Sequence, residues 1–347
     1  MGLDIAVALL HPRHADLRLL PASADGRPVI VRTGFYRDSA QARNAKAAGS
    51  PDDAVRDIEA AIDTDARDAL AQAEVVLALD LPLDVAPLAP RLRWVQAYGA
   101  GVGQLVRVLR DSGVQLTTAA GVSSNAIAES VIARLLQISK NLRELDEQQR
   151  RHEWTPLRAR SLSGQTMVVI GLGQIGTEVA RLAAAFGMRV VAVRKRPWLQ
   201  APPTVDLTVD RSGLLAVLAD ADVIVVCAAE TAETARHEPI VGAAEVEAMR
   251  PAAVLVNVAR GSLVDQAAVT AALRDRRLAA AVLDVTTPEP LPADDPLWDL
   301  PAAYISPHSS ASGDGYNLRL FRLFAENLAR YAGGRQMINT VDMERGY

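Results

Sequence analysis

The stretch "VVIGLGQIG" (168–176) joins an apolar run to a helical pattern through a glycine-rich turn. Residues 167–170 predict a strand, and "QIGTEVARLAAAFG" (174–187) has the apolar spacing of a helix that ends at a glycine. Three glycines stand in the turn with the spacing G-x-G-x-x-G: Gly171, Gly173 and Gly176. A strand, such a turn and a helix in this order predict the first unit of a dinucleotide-binding domain.

Each glycine of this turn has a physical task in dinucleotide binding. The first allows the tight bend, the second lets the backbone approach a pyrophosphate, and the third lets the helix pack on the strand. The phosphates then lie at the helix N-terminus, beside the backbone of Gln174 and Ile175. The alternative is a glycine turn that binds nothing, which the strand and helix around it disfavour.

Three consecutive cations follow the next predicted strand, where "VVAVRKRP" (190–197) contains Arg194, Lys195 and Arg196. An acid about 20 residues after the first glycine normally binds the ribose hydroxyls of NAD, whereas an arginine accommodates the 2′-phosphate of NADP. One cation about 4 Å from that phosphate contributes roughly 1–4 kcal/mol. We predict that NADP(H) is the preferred cofactor. NAD(H) is the alternative if the cations form only a solvated turn.

The composition indicates a soluble cytoplasmic protein of two domains. The chain has 347 residues, half of them apolar, and a net charge of −4, which argues against bulk binding of nucleic acid. A single cysteine excludes an internal disulfide framework and a multi-cysteine zinc site, and we predict no metal. The first residues lack the basic region of a signal peptide, and no apolar run reaches the roughly 18 residues of a membrane helix.

The order of the predicted elements is typical of an α/β fold. Short apolar runs alternate with helical stretches almost to the end of the chain. The runs in the second half are apolar throughout rather than alternating, as expected for parallel sheets covered by helices on both faces. A long helical pattern fills residues 125–151.

Three side chains at predicted strand ends suit the binding of a carboxylate and proton transfer to a carbonyl oxygen. His308 follows the strand in "AYISPHSS" (303–310), where ligands collect in open α/β sheets, although a structural histidine is the alternative. Arg260 ends an apolar strand, a costly position for a permanent charge unless an anion meets it, and its planar fork suits a carboxylate. Glu289, on a proline-flanked loop, would hold the His308 imidazole in one tautomer for proton transfer to a carbonyl oxygen.

Several motifs together resemble one enzyme family. In chain order they are "GLGQIG" (171–176), "VNVARGSLVD" (256–265), "LDVTTPEPLPADDPLW" (283–298) and "ISPHSS" (305–310), and they resemble the D-2-hydroxyacid dehydrogenases. "LRWVQAYGAGVGQL" (92–105) and "NAIAESVIARLL" (125–136) extend the resemblance over roughly residues 75–335. The turn with three cations is most similar to the glyoxylate/hydroxypyruvate reductase branch, which uses NADPH.

The resemblance implies a role for each candidate residue. Arg260 would bind the substrate carboxylate and polarise its carbonyl, His308 would donate the proton on reduction, and Glu289 would orient His308. The backbone of Ala100 and Gly101 would hold the carboxylate from the other domain, with an ordinary glycine turn as the alternative. Further cofactor contacts are implied for Cys227, Ala259, Asp284 and Ser310. Asp284 would meet the nicotinamide carboxamide or serve only to close its strand, and Cys227 would line the site rather than act as a nucleophile.

The resemblance also implies a discontinuous architecture of two doubly wound domains with a cleft between them. A flavodoxin-like substrate domain would comprise residues 1–122 and 311–347, and a Rossmann domain residues 123–310. The helix at 125–151 would form a homodimer. Trp154 would then lie buried in its own chain, with packing at the dimer interface or in a neighbouring active site as the alternatives.

Three departures from the family pattern leave the substrate side chain open. Gly103 stands where an aspartate is frequent, Tyr98 stands beside the substrate loop where a smaller residue is common, and Thr286 replaces a frequent aromatic residue. The predicted function is NADPH-dependent reduction of glyoxylate, hydroxypyruvate or a similar acid to the D-2-hydroxy acid. The alternatives are an NADH-dependent dehydrogenase of a bulkier D-2-hydroxy acid and a non-enzymatic, nucleotide-sensing interaction protein.

Overall fold

The computed structural model describes residues 4–10, 17–36, 39–59, 61–229 and 239–344. The chain divides into two compact units. Met1–Val122 and Asp314–Tyr347 form the first, called the discontinuous unit below, and Ser123–Gly313 form the second, called the middle unit. The prediction of an α/β fold with two parallel-sheet units is confirmed.

The described ranges contain the following strands and helices. The strands are β1 Ile5–Leu9, β2 Ser23–Ala24, β3 Arg27–Thr33, β4 Val75–Ala78, β5 Trp94–Ala97, β6 Gln115–Thr117, β7 Thr166–Ile170, β8 Arg189–Val193, β9 Leu207–Val209, β10 Val223–Val226, β11 Val254–Asn257, β12 Ala280–Leu283 and β13 Ala303–Ile305. The helices are α1 Ala40–Ala47, α2 Asp52–Arg56, α3 Thr64–Gln72, α4 Val85–Leu88, α5 Gly103–Leu109, α6 Ser124–Ser139, α7 Leu142–Arg151, α8 Gln174–Ala185, α9 Leu214–Ala219, α10 Ala243–Ala248, α11 Gln266–Arg274 and α12 Tyr316–Ala332.

The discontinuous unit is built on a six-stranded sheet in the order β2-β3-β1-β4-β5-β6. All neighbouring strands are parallel except the short β2, so the strand order is flavodoxin-like apart from that edge. Successive residues face opposite sides of the sheet: Val76 packs with Leu70 of α3, whereas Leu77 packs with Phe324 of α12. The C-terminal helix therefore completes one face of a sheet that the N-terminal residues form.

The middle unit is built on a seven-stranded parallel sheet in the order β13-β12-β11-β10-β7-β8-β9. Val169 packs with Val131 of α6 and Val179 of α8 on one face, whereas Val168 packs with Leu218 of α9 on the other. From β7 the chain proceeds to β8 and β9 on one side and then to β10 on the other. The carboxyl ends of β7 and β10 thus form the point where the strand order reverses, which is where ligands bind in open α/β sheets.

The long helix expected at 125–151 is two helices, because Asn141 between them has φ +54. Asparagine tolerates this left-handed conformation better than most residues. Its side chain also donates a hydrogen bond of 3.0 Å to the carbonyl oxygen of Arg158. Trp154 is 96% exposed, so the prediction that it lies buried in its own chain is wrong. No helix within the described ranges is long and apolar enough to cross a membrane.

Candidate active site

The three glycines at the turn from β7 into α8 differ in the space around them. Gly171 has φ +97, and a Cβ there would lie 2.6 Å from Cα of Ala228. A Cβ on Gly176 would lie 2.1 Å from the carbonyl oxygen of Gly171, so the helix can approach the strand only without a side chain. A Cβ on Gly173 would meet no atom of the described chain within 4 Å. Packing inside the protein therefore explains the outer glycines but not Gly173.

The space at Gly173 fits a dinucleotide. Gly173 is the residue before α8, and it provides no side chain to cap the first N–H groups of that helix. Gln174 is exposed and Ile175 is half-buried at the start of α8. A helix N-terminus beside an open backbone surface is suited to the charge and size of a pyrophosphate.

The turn after β8 presents its three cations differently. Arg194 is half-buried: its guanidinium bonds to the carbonyl oxygen of Leu199, and its Nε has no hydrogen-bond partner among the described residues. Lys195 and Arg196 are exposed. A buried N–H without a partner costs about 1–3 kcal/mol, so a phosphate oxygen beside Arg194 would stabilise the turn. The donor set of this turn therefore also fits a nucleotide phosphate.

Arg260 is held by its neighbours just after β11. The buried side chain of Asn257 donates to the carbonyl oxygen of Arg260 at 2.8 Å and accepts from the N–H of Ala259 at 3.1 Å. Ala259 is buried and Arg260 is half-buried. A Cβ on Gly261 would lie 2.1 Å from the carbonyl oxygen of Thr286, so the loops after β11 and β12 are in contact. The sequence analysis missed Asn257, whose signal was an amide at the end of an apolar strand.

His308 and Glu289 form a hydrogen-bonded pair. The distance from Nδ1 of His308 to Oε1 of Glu289 is 2.7 Å, and the two side chains are 44% and 40% exposed. Glu289 lies on the loop after β12 and His308 on the loop after β13, the neighbouring parallel strand. The loops that carry Arg260, Glu289 and His308 therefore leave the same edge of the sheet from three adjacent strands. The pairing occupies Nδ1, and Nε2 takes no part in this hydrogen bond.

Asp284 ties the His308 loop to β12. Its buried carboxylate accepts hydrogen bonds from the Ser306 hydroxyl at 2.6 Å, the Ser309 N–H at 2.9 Å and the Ser310 N–H at 3.1 Å, and also from the Ser310 hydroxyl. Its carbonyl oxygen accepts from the N–H of His308 at 2.8 Å. This geometry favours the structural alternative for Asp284 and gives buried Ser310 the same task. The sequence analysis missed Ser306 and Ser309, although "SPHSS" marks a loop rich in hydroxyl groups.

Cys227 follows β10, and its N–H donates to the carbonyl oxygen of Ile170 at the end of β7, at 2.8 Å. The side chain is thus next to the glycine turn. Burial raises the pKa of the Cys227 thiol to about 12, so the thiol keeps its proton at neutral pH. A protonated thiol is a weak nucleophile, in agreement with a lining role.

Tyr98, Ala100 and Gly101 lie in the discontinuous unit, on the loop between β5 and α5. Ala100 and Gly101 are exposed, and the carbonyl oxygen of Gly99 accepts from the N–H of Ala119 at 3.0 Å. Tyr98 is half-buried, and burial, with Tyr316 nearby, raises the pKa of its hydroxyl to about 12.

Among all described residues, no group of three histidine, cysteine or carboxylate side chains is placed to hold a metal ion.

Comparison with known proteins gives one consistent result. The family model for the D-isomer specific 2-hydroxyacid dehydrogenase, NAD binding domain, matches residues 132–310. The glyoxylate reductase of Aeropyrum pernix is 33% identical over 274 residues, which cover 75% of this chain and 79% of that protein. The D-3-phosphoglycerate dehydrogenase of Archaeoglobus fulgidus is 30% identical over 263 residues, which cover 75% of this chain and 49% of that protein.

A solved structure resembles both units of the chain. The NADPH-dependent glyoxylate/hydroxypyruvate reductase of Sinorhizobium meliloti, crystallised in complex with NADP and sulfate, has a TM-score of 0.75 and 25% sequence identity. The match covers 99% of this chain and all of that one.

Proposed function

Since this chain belongs to the D-isomer specific 2-hydroxyacid dehydrogenase family, a family of NAD(P)-dependent oxidoreductases, we propose that it reduces a small 2-oxo acid with NADPH. The substrate would be glyoxylate, hydroxypyruvate or a close relative, and the product the D-2-hydroxy acid. The observation that carries the proposal is the His308–Glu289 pair at 2.7 Å, on the sheet edge that also carries Arg260.

The three side chains divide the work at the carbonyl group. The guanidinium of Arg260 binds the substrate carboxylate and places an N–H near the carbonyl oxygen. When bound, the dihydronicotinamide would supply the hydride for the carbonyl carbon. Nε2 of His308 would deliver a proton to the carbonyl oxygen. Glu289 holds the imidazole in place through its hydrogen bond to Nδ1. In the discontinuous unit, the backbone N–H groups of Ala100 and Gly101 and the side chain of Tyr98 are proposed to contact the substrate.

The cofactor would lie along the carboxyl ends of β7, β8 and β10. The backbone at Gly173, Gln174 and Ile175 would receive the pyrophosphate. Arg194, with its unpartnered Nε, and the exposed Lys195 and Arg196 would receive the 2′-phosphate. The remaining residues proposed to line the cofactor site are Gly171, Gly176, Cys227, Ala259, Asp284 and Ser310. A preference for NADPH is supported by the three cations and by the absence of an acid at their positions.

We infer that the enzyme is a cytoplasmic homodimer. Support for the dimer comes from α7 and the segment after it, where three large apolar side chains are exposed: Leu142, Leu145 and Trp154. A solvent-exposed apolar cluster of this kind is typical of a protein interaction site.

The deciding experiment is the comparison of kcat/KM for glyoxylate and hydroxypyruvate with NADPH and with NADH. We expect turnover with a strong preference for NADPH. Turnover that favours NADH would support the proposed reaction and contradict the proposed preference for NADPH. Tight NADPH binding without turnover of any small 2-oxo acid would contradict the enzyme function and favour a nucleotide sensor.

A second candidate is the NAD(H)-dependent conversion of a bulkier D-2-hydroxy acid. It is favoured by the similarity to D-3-phosphoglycerate dehydrogenase and by the unusual residues near the expected substrate position, Tyr98, Gly103 and Thr286. Oxidation of D-3-phosphoglycerate with NAD⁺ tests it in the same assay. Turnover of this compound faster than reduction of glyoxylate would favour the second candidate.

A further inference from the structure

The first turn of α12 holds the carboxyl end of β5 in the discontinuous unit. The Tyr316 hydroxyl donates a hydrogen bond to the carbonyl oxygen of Tyr98, the residue that follows β5. Tyr316 is half-buried, and burial raises the pKa of its hydroxyl above the usual value near 10. The phenol therefore keeps its proton at neutral pH and acts as the donor.

A second donor from the same helix turn holds the next loop. Arg319 lies three residues after Tyr316, on the same side of α12, and its Nε donates to the carbonyl oxygen of Val122 at 2.7 Å. The N–H of Val122 donates to Ala119 at 3.1 Å, and the N–H of Ala119 donates to the carbonyl oxygen of Gly99 at 3.0 Å. Tyr98 and Gly99 are thus both connected to α12, Tyr98 directly and Gly99 through the 119–122 loop.

The other end of α12 offers a natural comparison. The Tyr331 hydroxyl donates to Oε1 of Glu74 at 2.8 Å. Glu74 immediately precedes β4, at the amino ends of the strands, whereas Tyr98 lies at their carboxyl ends. Both hydroxyls therefore donate one hydrogen bond from the same helix, Tyr316 to a backbone carbonyl and Tyr331 to a carboxylate. Of the two, Tyr316 contacts the segment that leads into the 99–102 loop.

We propose that Tyr316 is a positioning residue, whose hydrogen bond to Tyr98 fixes the backbone N–H groups of Ala100 and Gly101 for the substrate carboxylate. The inference rests on the proposed function of that loop. Arg260, Glu289 and His308 lie on other elements, so the loss of the Tyr316 hydroxyl weakens substrate binding more than it slows the chemical step.

The test compares Tyr316→Phe with Tyr331→Phe in the full-length protein. Both variants lose one hydroxyl and one hydrogen bond, so we expect both to lose stability in urea unfolding. Tyr331→Phe should lose at least as much as Tyr316→Phe, because its acceptor is a carboxylate. Only Tyr316→Phe should raise KM for glyoxylate, by about threefold to tenfold, with kcat within about twofold of wild type. Hydrogen exchange measured by mass spectrometry should show faster exchange of the 99–103 amides in that variant alone, independently of any turnover.

Equal KM values and equal exchange rates in the two variants would overturn the inference. A wild-type protein that reduces no small 2-oxo acid would overturn the proposed function instead. In that case the exchange measurement still decides whether Tyr316 holds the loop: faster exchange of residues 99–103 only in Tyr316→Phe supports the hold, and no difference overturns it.

Discussion

The His308 backbone has φ +49, a conformation that few residues other than glycine adopt. Such a residue costs about 1–3 kcal/mol and persists only when its surroundings fix it. Here Asp284 accepts hydrogen bonds from Ser306 before His308 and from Ser309 and Ser310 after it. The buried carboxylate thus holds the loop in a shape that directs the imidazole toward Glu289.

Replacement of His308 by alanine tests its role as proton donor. We expect kcat for glyoxylate reduction to fall by about 100-fold to 10,000-fold, the range of general acid catalysis. NADPH affinity, measured by fluorescence titration, should stay within about twofold, because the phosphate contacts lie on other loops. His152→Asn, an exposed histidine that also has positive φ, is the control and should keep wild-type kinetics. Retained turnover in His308→Ala would remove His308 from this role.

The sequence was enough to predict which side chains lie at the carboxyl ends of neighbouring strands. It was not enough to predict the hydrogen-bond partners of each side chain. Arg260, Glu289 and His308 could be selected from the sequence because each follows a predicted strand, and neighbouring parallel strands end at one edge. The hydrogen-bond partners of Asp284 could not be selected from the sequence. They lie on the loop after β13, about 20 residues further along the chain, and that loop reaches Asp284 only because β13 lies next to β12 in the sheet.

In the turn from β7 into α8, substitutions can separate the glycine needed for packing from the glycine proposed to face the pyrophosphate. Gly173→Ala should fold with nearly wild-type stability, because its Cβ would meet no described atom, yet bind NADPH at least about tenfold more weakly. Gly176→Ala should lose about 1–3 kcal/mol of unfolding free energy, because its Cβ would lie 2.1 Å from the Gly171 carbonyl oxygen. Urea unfolding and NADPH titration of both variants provide the measurement. Wild-type affinity in Gly173→Ala would contradict the placement of the pyrophosphate.

The cationic turn after β8 makes a second prediction at this scale. The double variant Arg194→Gln, Arg196→Gln should bind NADPH about tenfold to 100-fold more weakly, with less effect at high salt, while NADH affinity is nearly unchanged. Arg189→Gln, at the amino end of the same strand, is the matched control and should leave both affinities unchanged. An equal loss for NADPH and NADH would mean that the turn does not distinguish the 2′-phosphate.

The helix pattern shows where sequence reasoning fails at this scale. Apolar residues keep helical spacing from Ile127 to Leu142, but that spacing does not report the left-handed Asn141 that separates α6 from α7. Trp154 was expected to be buried because tryptophan usually is. In the structure Trp154 is exposed and lines a surface pocket together with Leu145.

The exposed apolar cluster on α7 and the segment after it, formed by Leu142, Leu145 and Trp154, leads to a prediction about the proposed dimer. Trp154→Ser should raise the dimer dissociation constant by about 30-fold or more, since a buried aromatic at an interface contributes about 2 kcal/mol or more. Sedimentation velocity over a range of protein concentrations measures this constant. Leu215→Ser removes another exposed apolar side chain, on α9, and should leave the dimer unchanged. A wild-type protein that sediments as a monomer at all concentrations would contradict the dimer.

The path of the chain through the two units has a consequence for biosynthesis. Residues 1–122 leave the ribosome first, but the sheet face that contains Leu77 and Trp94 is covered by Phe321, Phe324 and Leu328 of α12. The whole middle unit is translated between these segments, which takes about 10–40 s at 5–20 residues per second. The nascent chain therefore completes its second unit before its first, and during that interval the apolar sheet face has no helix α12 to cover it.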